Sequence, residues 1–273
     1  MLQEHHITAF HPHIKLLTHQ AHYISPEQEP FTTEEESRTL KVKVKMMGPA
    51  LVTVLCLLAC LPSVEPITGE EWARVTRFVN NELIAGHFTF QYAFVVKLAA
   101  TECRQLNENT IREALTLNQR QLNDLRNTVR NYGIYEGRRI VAASYSNETP
   151  RNHAEYRLLE SVNRAPSPVQ NLLNRGSRAG CVVFYSLYSP CLTRCVNERR
   201  PYNIINELDV FNGIAEGNKA FVFRDVYSED IDRSPTEIWQ AWGALNNRMT
   251  LYRCTDNNCI RCFQEGLFTG QCL

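Results

Sequence analysis

The chain has 273 residues, with 29 basic and 29 acidic side chains, so its formal net charge is zero. This length allows one sizeable domain with its own core, and a hydrophobic content of 44% excludes wholesale disorder. A neutral chain has no long-range field that attracts a polyanion, so tight nucleic-acid binding driven by phosphate charge is not expected.

The N-terminal stretch is interpreted as a leader followed by a signal peptide. Residues 1–45 show no sustained periodicity and are interpreted as disordered or untranslated. Residues 50–61 form an uncharged apolar run that is shorter than the about 20 residues needed to cross a bilayer. This run after a basic flank predicts a signal peptide over 46–63, and hence a secreted protein with no stable membrane insertion. A buried core segment or an uncleaved anchor is the alternative.

Hydrophobic periodicity predicts the elements that follow. Helical spacing of apolar residues predicts a helix over 72–83, and alternation of apolar residues predicts a strand over 88–98. Helical spacing returns over 111–129 and is followed by a strand over 140–145. A further helix is predicted over 153–162, where an asparagine in the preceding position can cap it.

The second half of the chain continues this alternation. A buried strand is predicted over 181–187, and the Ser-Pro pair at 189–190 has the pattern of a helix start. Another strand covers 220–227, Ser234 opens a helix with capping-box spacing, and a last strand covers 249–254. Strands that alternate with helices predict an α/β layered sheet.

The role expected for the cysteines depends on whether the chain is secreted. Removal of the signal leaves eight of the ten cysteines, and an oxidising compartment favours disulfides. If two of the eight bind a metal, six remain for three bridges, whose connectivity the sequence does not distinguish. A cysteine-rich tail covers 255–273, where a structural zinc knuckle is the alternative to disulfides. The disulfide candidates are Cys103, Cys181, Cys254, Cys259, Cys262 and Cys272.

One N-glycosylation pattern is present. It reads Asn147-Glu148-Thr149, and it is consistent with export. The pattern predicts a glycan on Asn147, six residues before His153.

A short pattern of histidine, glutamate and two cysteines carries the candidate chemistry. His153 and Glu155 lie at the start of one predicted helix, and Cys191 and Cys195 lie at the start of another. Both helices follow strands, and such helix starts meet along one edge of an α/β sheet. The unpaired N–H groups of a first turn favour a thiolate at Cys191, and Cys195 shares its helix face. Three ligands with an open fourth position characterise a catalytic zinc site.

Each half of this pattern also has a structural interpretation. Asn152 and Glu155 have the spacing of a capping box. Cys191 and Cys195 can form a disulfide in a secreted chain. Beyond residue 45 the chain has only one histidine besides His153, so few other metal-binding sets are available.

His-x-Glu followed by Pro-Cys and a second cysteine is the signature of zinc nucleobase deaminases. The chain therefore resembles the cytidine deaminase superfamily. Its Ser-Pro-Cys context after a Val-Val-Phe-Tyr strand is similar to the AID/APOBEC-like branch, and the signal peptide and extra cysteines make it similar to the secreted AID/APOBEC-like deaminases. The matching order of elements covers about 72–254, within which the two short motifs are the specific features.

The resemblance implies a fold and a reaction. The fold is a three-layer α/β/α cytidine deaminase-like fold with a five-stranded mixed sheet, in a domain over 64–254. His153, Cys191 and Cys195 would hold zinc, and Glu155 would move a proton from the activated water to the ring and the leaving ammonia. The substrate would be cytosine or cytidine, in foreign nucleic acid or as an extracellular nucleoside.

Three features depart from the family pattern. Three residues rather than two separate the cysteines, and roughly forty residues separate the first two predicted strands where the family has a short hairpin. Tyr188 stands where a tryptophan often precedes Ser-Pro-Cys, so the identity of the base is open. Tyr188 and Tyr227 are candidates for stacking on the substrate, and Arg224 is a candidate for contacting a substrate phosphate.

Two other functions remain open from the sequence. One is a catalytically inactive, disulfide-stapled extracellular binding protein that keeps a deaminase-like fold. The other is an enzyme that acts on free nucleotides rather than on polymers. The sequence indicates no oligomeric state.

Overall fold

The computed structural model leaves the N-terminal region and a few loop positions undescribed. The predicted leader, 1–45, and the predicted signal peptide, 46–63, lie outside the described residues, as does Thr149 of the glycosylation pattern. Within the described part, no helix combines the length and the apolar character that crossing a membrane requires. The described residues are 65–84, 86, 88, 90–148, 152–176, 179–255 and 258–273.

A mixed sheet of seven strands forms the centre of the described structure. With the strands numbered in chain order, their order across the sheet is 2-3-1-4-5-6-7. The fourth, fifth and sixth strands are parallel, and the remaining neighbours pair antiparallel. The strands are β1 Tyr92–Ala99, β2 Ile134–Glu136, β3 Ile140–Ser144, β4 Ala179–Tyr188, β5 Lys219–Asp225, β6 Thr250–Cys254 and β7 Cys259–Arg261.

The expected number of five strands is wrong, because the sheet has seven. The two additional strands, β2 and β7, are the two edges of the sheet, and each has only three residues. Strands this short are too brief to show a period of two in the sequence. Cys254 of β6 lies opposite Cys259 of β7 in antiparallel register, and a disulfide joins them. Part of the cysteine-rich tail therefore extends the sheet.

Helices cover both faces of this sheet. They are α1 Gly69–Phe78, α2 Ala100–Cys103, α3 Glu108–Leu115, α4 Gln119–Arg130, α5 Ala154–Leu159, α6 Pro168–Asn174 and α7 Pro235–Asn246. A π-helical segment, Val79–Ile84, continues α1. The predicted capping box at Ser234 is confirmed, since its side chain accepts from the backbone N–H of Glu237.

Side-chain alternation along the strands separates two cores. On β1, Phe94 and Val96 contribute to the core shared with α1, α3 and α4. Ala93 and Val95 point to the other face, whose core includes apolar residues of α5, α6 and α7. Because both faces are covered, the central strands are buried along nearly their whole length.

Two of the predicted helical stretches are present but are interrupted or shorter than expected. The helix expected over 111–129 is divided into α3 and α4, because Thr116 leaves the helical conformation and Asn118 caps the second helix. The helix expected over 153–162 ends earlier, at Leu159, where Glu160 has extended backbone.

Three disulfides lie within the described residues. Cys103–Cys181 joins α2 to β4 across 78 residues of sequence. Cys254–Cys259 closes the β6–β7 connection, and Cys262–Cys272 closes a loop in the tail that contains the hairpin Phe263–Gln264 and Leu267–Phe268. Cys191 and Cys195 are buried and form no disulfide.

Candidate metal centre

A cavity of about 220 Å³ opens at one end of the sheet. β3, β4 and β5 end there, and β1 begins there because it runs antiparallel to β3 and β4. Sites in α/β sheets form at such carboxyl ends of strands. The lining residues are Gln91, Tyr145, His153, Glu155, Tyr188, Ser189, Cys191 and Tyr227.

Three side chains beside this cavity bring one nitrogen and two sulfurs together. His153 Nδ1 lies 3.0 Å from Cys195 Sγ and 3.7 Å from Cys191 Sγ, and the two sulfurs are 3.4 Å apart. His153 immediately precedes α5, and both cysteines follow the end of β4. The two halves of the sequence pattern are therefore adjacent in space.

The predicted helix after Ser189-Pro190 is wrong, because residues 192–196 form turns instead. The turn is held at both cysteines: Val196 N donates to the Cys191 carbonyl at 3.3 Å, and Ile204 N donates to the Cys195 carbonyl at 2.8 Å. Cys195 N also donates to Cys191 Sγ at 3.4 Å. The two sulfurs thus share one side of a turn rather than one face of a helix.

The surroundings of Cys191 favour its thiolate. A hydrogen bond from the Cys195 thiol lowers the pKa of Cys191 to about 4, and the His153 ring adds to this effect. The same sulfur–sulfur hydrogen bond, together with burial, raises the pKa of Cys195 well above its usual value. The hydrogen bond with Cys191 raises the pKa of His153. These contacts, and not a helix N-terminus, favour an anionic sulfur at this site.

The three ligand atoms fit a zinc ion in chemistry and spacing. They lie within 4.8 Å of one another, and one nitrogen with two sulfurs is a donor set that zinc prefers. Tetrahedral coordination with Zn–S and Zn–N bonds of usual length places two sulfurs about 3.8 Å apart and a nitrogen and a sulfur about 3.6 Å apart. The separation of 3.7 Å between His153 Nδ1 and Cys191 Sγ agrees with this, and the other two, 3.4 Å between the sulfurs and 3.0 Å between His153 Nδ1 and Cys195 Sγ, are shorter. The cavity adjoins these atoms, which leaves room for a fourth ligand.

Glu155 lies beside the candidate metal ligands, and its side chain is almost completely buried. Its Oε1 accepts a hydrogen bond from Ser186 Oγ at 2.7 Å, and its Oε2 accepts one from Gln91 Nε2 at 2.6 Å. Burial raises the pKa of the Glu155 carboxyl, although the His153 ring and Ser186 act in the opposite direction. A buried carboxyl with a raised pKa is suited to accept and return a proton near neutral pH.

The capping-box interpretation of Glu155 is not what the structure shows. The N-cap of α5 is His153, whose own side chain makes no capping hydrogen bond. The Asn152 side-chain oxygen is buried and has no partner among the described residues, and Asn152 donates through its backbone N–H to Ser146 Oγ. The Glu155 carboxylate points to Gln91 and Ser186 instead of back to its own helix start.

Two of the three predicted substrate-binding residues line the cavity. The ring of Tyr227 lies 6.4 Å from the His153 ring and 6.5 Å from the Tyr188 ring, between centroids. Arg224 does not line this cavity; it is exposed and forms an ion pair with Asp225 at 3.0 Å. Asn147 is exposed and lines a separate cavity of about 500 Å³.

Two side chains that contact Glu155 were not anticipated from the sequence. Gln91 lies just before β1, and no local pattern distinguishes it. Ser186 lies within the buried strand β4, and a hydroxyl in an otherwise apolar strand was an available signal, since buried polar groups need a partner.

Comparison with known proteins yields one family. The family model described as Secreted Novel AID/APOBEC-like Deaminase 2 matches residues 72–271. The match confirms the resemblance to the AID/APOBEC-like branch of the deaminases, and it extends through most of the cysteine-rich tail. No curated protein and no solved structure matches the chain.

Proposed function

Since the chain belongs to the Secreted Novel AID/APOBEC-like Deaminase 2 family, we propose that it is a secreted, zinc-dependent deaminase that converts a cytosine base to uracil. The substrate carries that base in a nucleoside or in a nucleic acid. One observation carries the proposal: the buried carboxylate of Glu155 and the set of His153, Cys191 and Cys195 line or border the same cavity.

Each residue of the centre has a role in this proposal. His153 Nδ1 and the sulfurs of Cys191 and Cys195 would hold zinc, which would lower the pKa of a water at the open position. Glu155 would take one proton from that water and pass it to the ring nitrogen, while the water oxygen bonds to the ring carbon bearing the amino group. Glu155 would then move the remaining hydroxyl proton to the amino group, so that the carbon–nitrogen bond breaks, the carbonyl forms and ammonia leaves. Ser186 supports this role by donating to the carboxylate.

The tyrosines at the cavity give the base its surroundings. Tyr188 and Tyr227 offer faces for an aromatic ring, and Tyr145 lines the same cavity. Arg224 contacts a substrate phosphate only if its ion pair with Asp225 opens. The proposal therefore assigns base contacts to the tyrosines and leaves Arg224 with a secondary role.

Secretion is supported by two observations. The family is described as secreted, and three disulfides are typical of an oxidising compartment. We extend the proposal to the signal peptide over 46–63 and to the domain over 64–254 with its cysteine-rich tail over 255–273. The N-terminal residue of protein recovered from culture medium tests this, and an intact residue 1 would contradict it.

The central experiment combines metal analysis with turnover. We expect about one zinc per chain in purified wild-type protein, and uracil or uridine formed from one of cytidine, cytidine monophosphate, single-stranded DNA and RNA. Cys191→Ser is expected to lose zinc and activity together. Zinc-loaded protein that deaminates none of these substrates would overturn the proposal.

The inactive binding protein is the second candidate function, and the contact between the two cysteine sulfurs favours it. The Cys191 and Cys195 sulfurs are 3.4 Å apart, so oxidation to a disulfide needs little movement. Zinc-free protein with these two cysteines bridged would support that function. The two candidates are therefore separated by the metal content and by thiol counting.

A further inference from the structure

Gln91 connects the strand β1 to the carboxylate of Glu155. It lies one residue before β1, and its side chain lines the cavity. Its Nε2 donates to Glu155 Oε2 at 2.6 Å, and its Oε1 accepts from the backbone N–H of Ala154 at 3.2 Å. The backbone carbonyl of Gln91 also accepts from Tyr145 N at 3.3 Å. One residue thus joins the beginning of β1, the end of β3 and the start of α5.

The chemistry of the neighbours determines which end of the Gln91 amide faces which partner. A backbone N–H can only donate, so the end near Ala154 is the carbonyl oxygen. An ionised carboxylate can only accept, so the end near Glu155 is the NH₂ group. In the opposite orientation the NH₂ group would face the Ala154 N–H, and the amide oxygen would face the Glu155 carboxylate. Neither contact could then be a hydrogen bond. The amide is therefore held in one orientation from both sides.

The two oxygens of Glu155 receive one donor each. Ser186 donates to Oε1 and Gln91 donates to Oε2. A carboxylate has about four lone-pair positions, so lone pairs remain for a proton from the cavity side. Two fixed donors hold the carboxylate plane in place, and a proton-transfer group needs such fixed geometry to reach both water and base.

We propose that Gln91 is a positioning residue for proton transfer, which acts by holding the Glu155 carboxylate through its NH₂ group. This inference rests on the proposed deaminase function. It differs from a structural role of the same side chain, namely acceptance of the Ala154 N–H at the start of α5. The two roles use opposite ends of one amide, so substitutions can separate them.

Two substitutions make that separation. Gln91→Glu keeps the length and the acceptor for Ala154 but replaces the NH₂ donor with a carboxyl group that has to share one proton with Glu155. Gln91→Met keeps the length and removes both polar ends. Gln264→Met is the matched control, because Gln264 is exposed in the tail. Zinc per chain, kcat, KM and thermal midpoint are measured for all three and for the wild type.

We expect kcat to fall at least about tenfold in both Gln91→Glu and Gln91→Met, with one zinc retained per chain and KM within about threefold of wild type. Gln264→Met is expected to match the wild type. If Gln91→Met does not fold, Gln91→Glu alone decides. Wild-type kcat in Gln91→Glu, or a loss explained by missing zinc or by KM, would overturn the inference. Failure of the wild type itself to deaminate any substrate would instead overturn the proposed function, and the inference with it.

Discussion

At the scale of single residues, Glu155 differs from its neighbours in where its carboxylate points. It follows His153 by two positions, so the local sequence pattern was compatible either with a helix-capping role or with a role in proton transfer. Its hydrogen bonds go to Ser186, 31 residues away, and to Gln91, 64 residues away. A carboxylate held by residues this distant in sequence contributes to a site rather than to its own helix.

Glu155→Gln tests that contribution directly. We expect the variant to keep its zinc, because Glu155 is not a ligand, and to lose about 10²-fold or more of kcat, because the amide cannot carry the proton. Glu160→Gln is the matched control, since Glu160 lies just past the end of the same helix and lines the other cavity. Full activity in Glu155→Gln, measured by uracil formation, would contradict the role.

Asn147 supports a separate prediction about modification. It is exposed and lines the cavity of about 500 Å³, whereas Tyr145 lines the candidate active-site cavity. A glycan on Asn147 is therefore expected to leave the active-site cavity open. Secreted protein should lose mass on treatment with an N-glycosidase, and Asn147→Gln should abolish that shift while kcat stays within about twofold. An unchanged mass after treatment would show that the pattern is unused.

At the scale of elements, the turn after β4 depends on a carboxylate from another loop. Asp230 is buried, its Oδ2 accepts from Leu192 N at 3.0 Å, and its Oδ1 is buried without a partner in the described structure. Leu192 lies between Cys191 and Cys195, so this hydrogen bond helps to hold the turn that carries the two candidate metal ligands. Ser189 adds a second link, because its Oγ accepts from Tyr227 N at 2.9 Å.

Removal of the Asp230 carboxylate should therefore weaken zinc binding. We expect Asp230→Ala to reduce zinc affinity about 10- to 100-fold, the usual effect of losing a group that orients metal ligands. Competition with a chromogenic chelator measures this. Asp232→Ala is the control, because Asp232 is exposed two residues further along the same loop. Equal zinc affinity in the two variants would remove Asp230 from this role.

At the scale of the whole molecule, two of the three disulfides lie on the opposite face of the sheet from the candidate metal centre. Cys103–Cys181 and Cys254–Cys259 belong to the core on the face of α1, α3 and α4. Cys191 and Cys195 belong to the core on the other face, and so does the third disulfide, Cys262–Cys272. Six of the eight cysteines therefore form disulfides and two belong to the candidate metal centre, a division that the count of eight allowed.

The bridges should contribute to stability according to loop length. Cys103–Cys181 encloses 78 residues and Cys262–Cys272 encloses 10. Loss of unfolded-state entropy predicts contributions of about 4.5 and about 2.7 kcal/mol respectively to the free energy of unfolding. Paired Cys→Ser variants of each bridge, compared by urea unfolding, check the order. Both variants should retain zinc, and a larger loss for the shorter loop would contradict the entropic account.

Features that depend on a few neighbouring residues could be predicted from the sequence. The spacing around His153 and the Pro-Cys segment indicated the candidate metal ligands, the Ser234 pattern indicated a capped helix, and alternation indicated the long buried strands, because each pattern lies within a short stretch of chain. Features that join distant segments became visible only in the folded chain. The donors to Glu155, the short edge strands β2 and β7, and the turn that replaces the expected helix at Cys191 depend on contacts across the sheet, and such contacts leave no period in the local sequence.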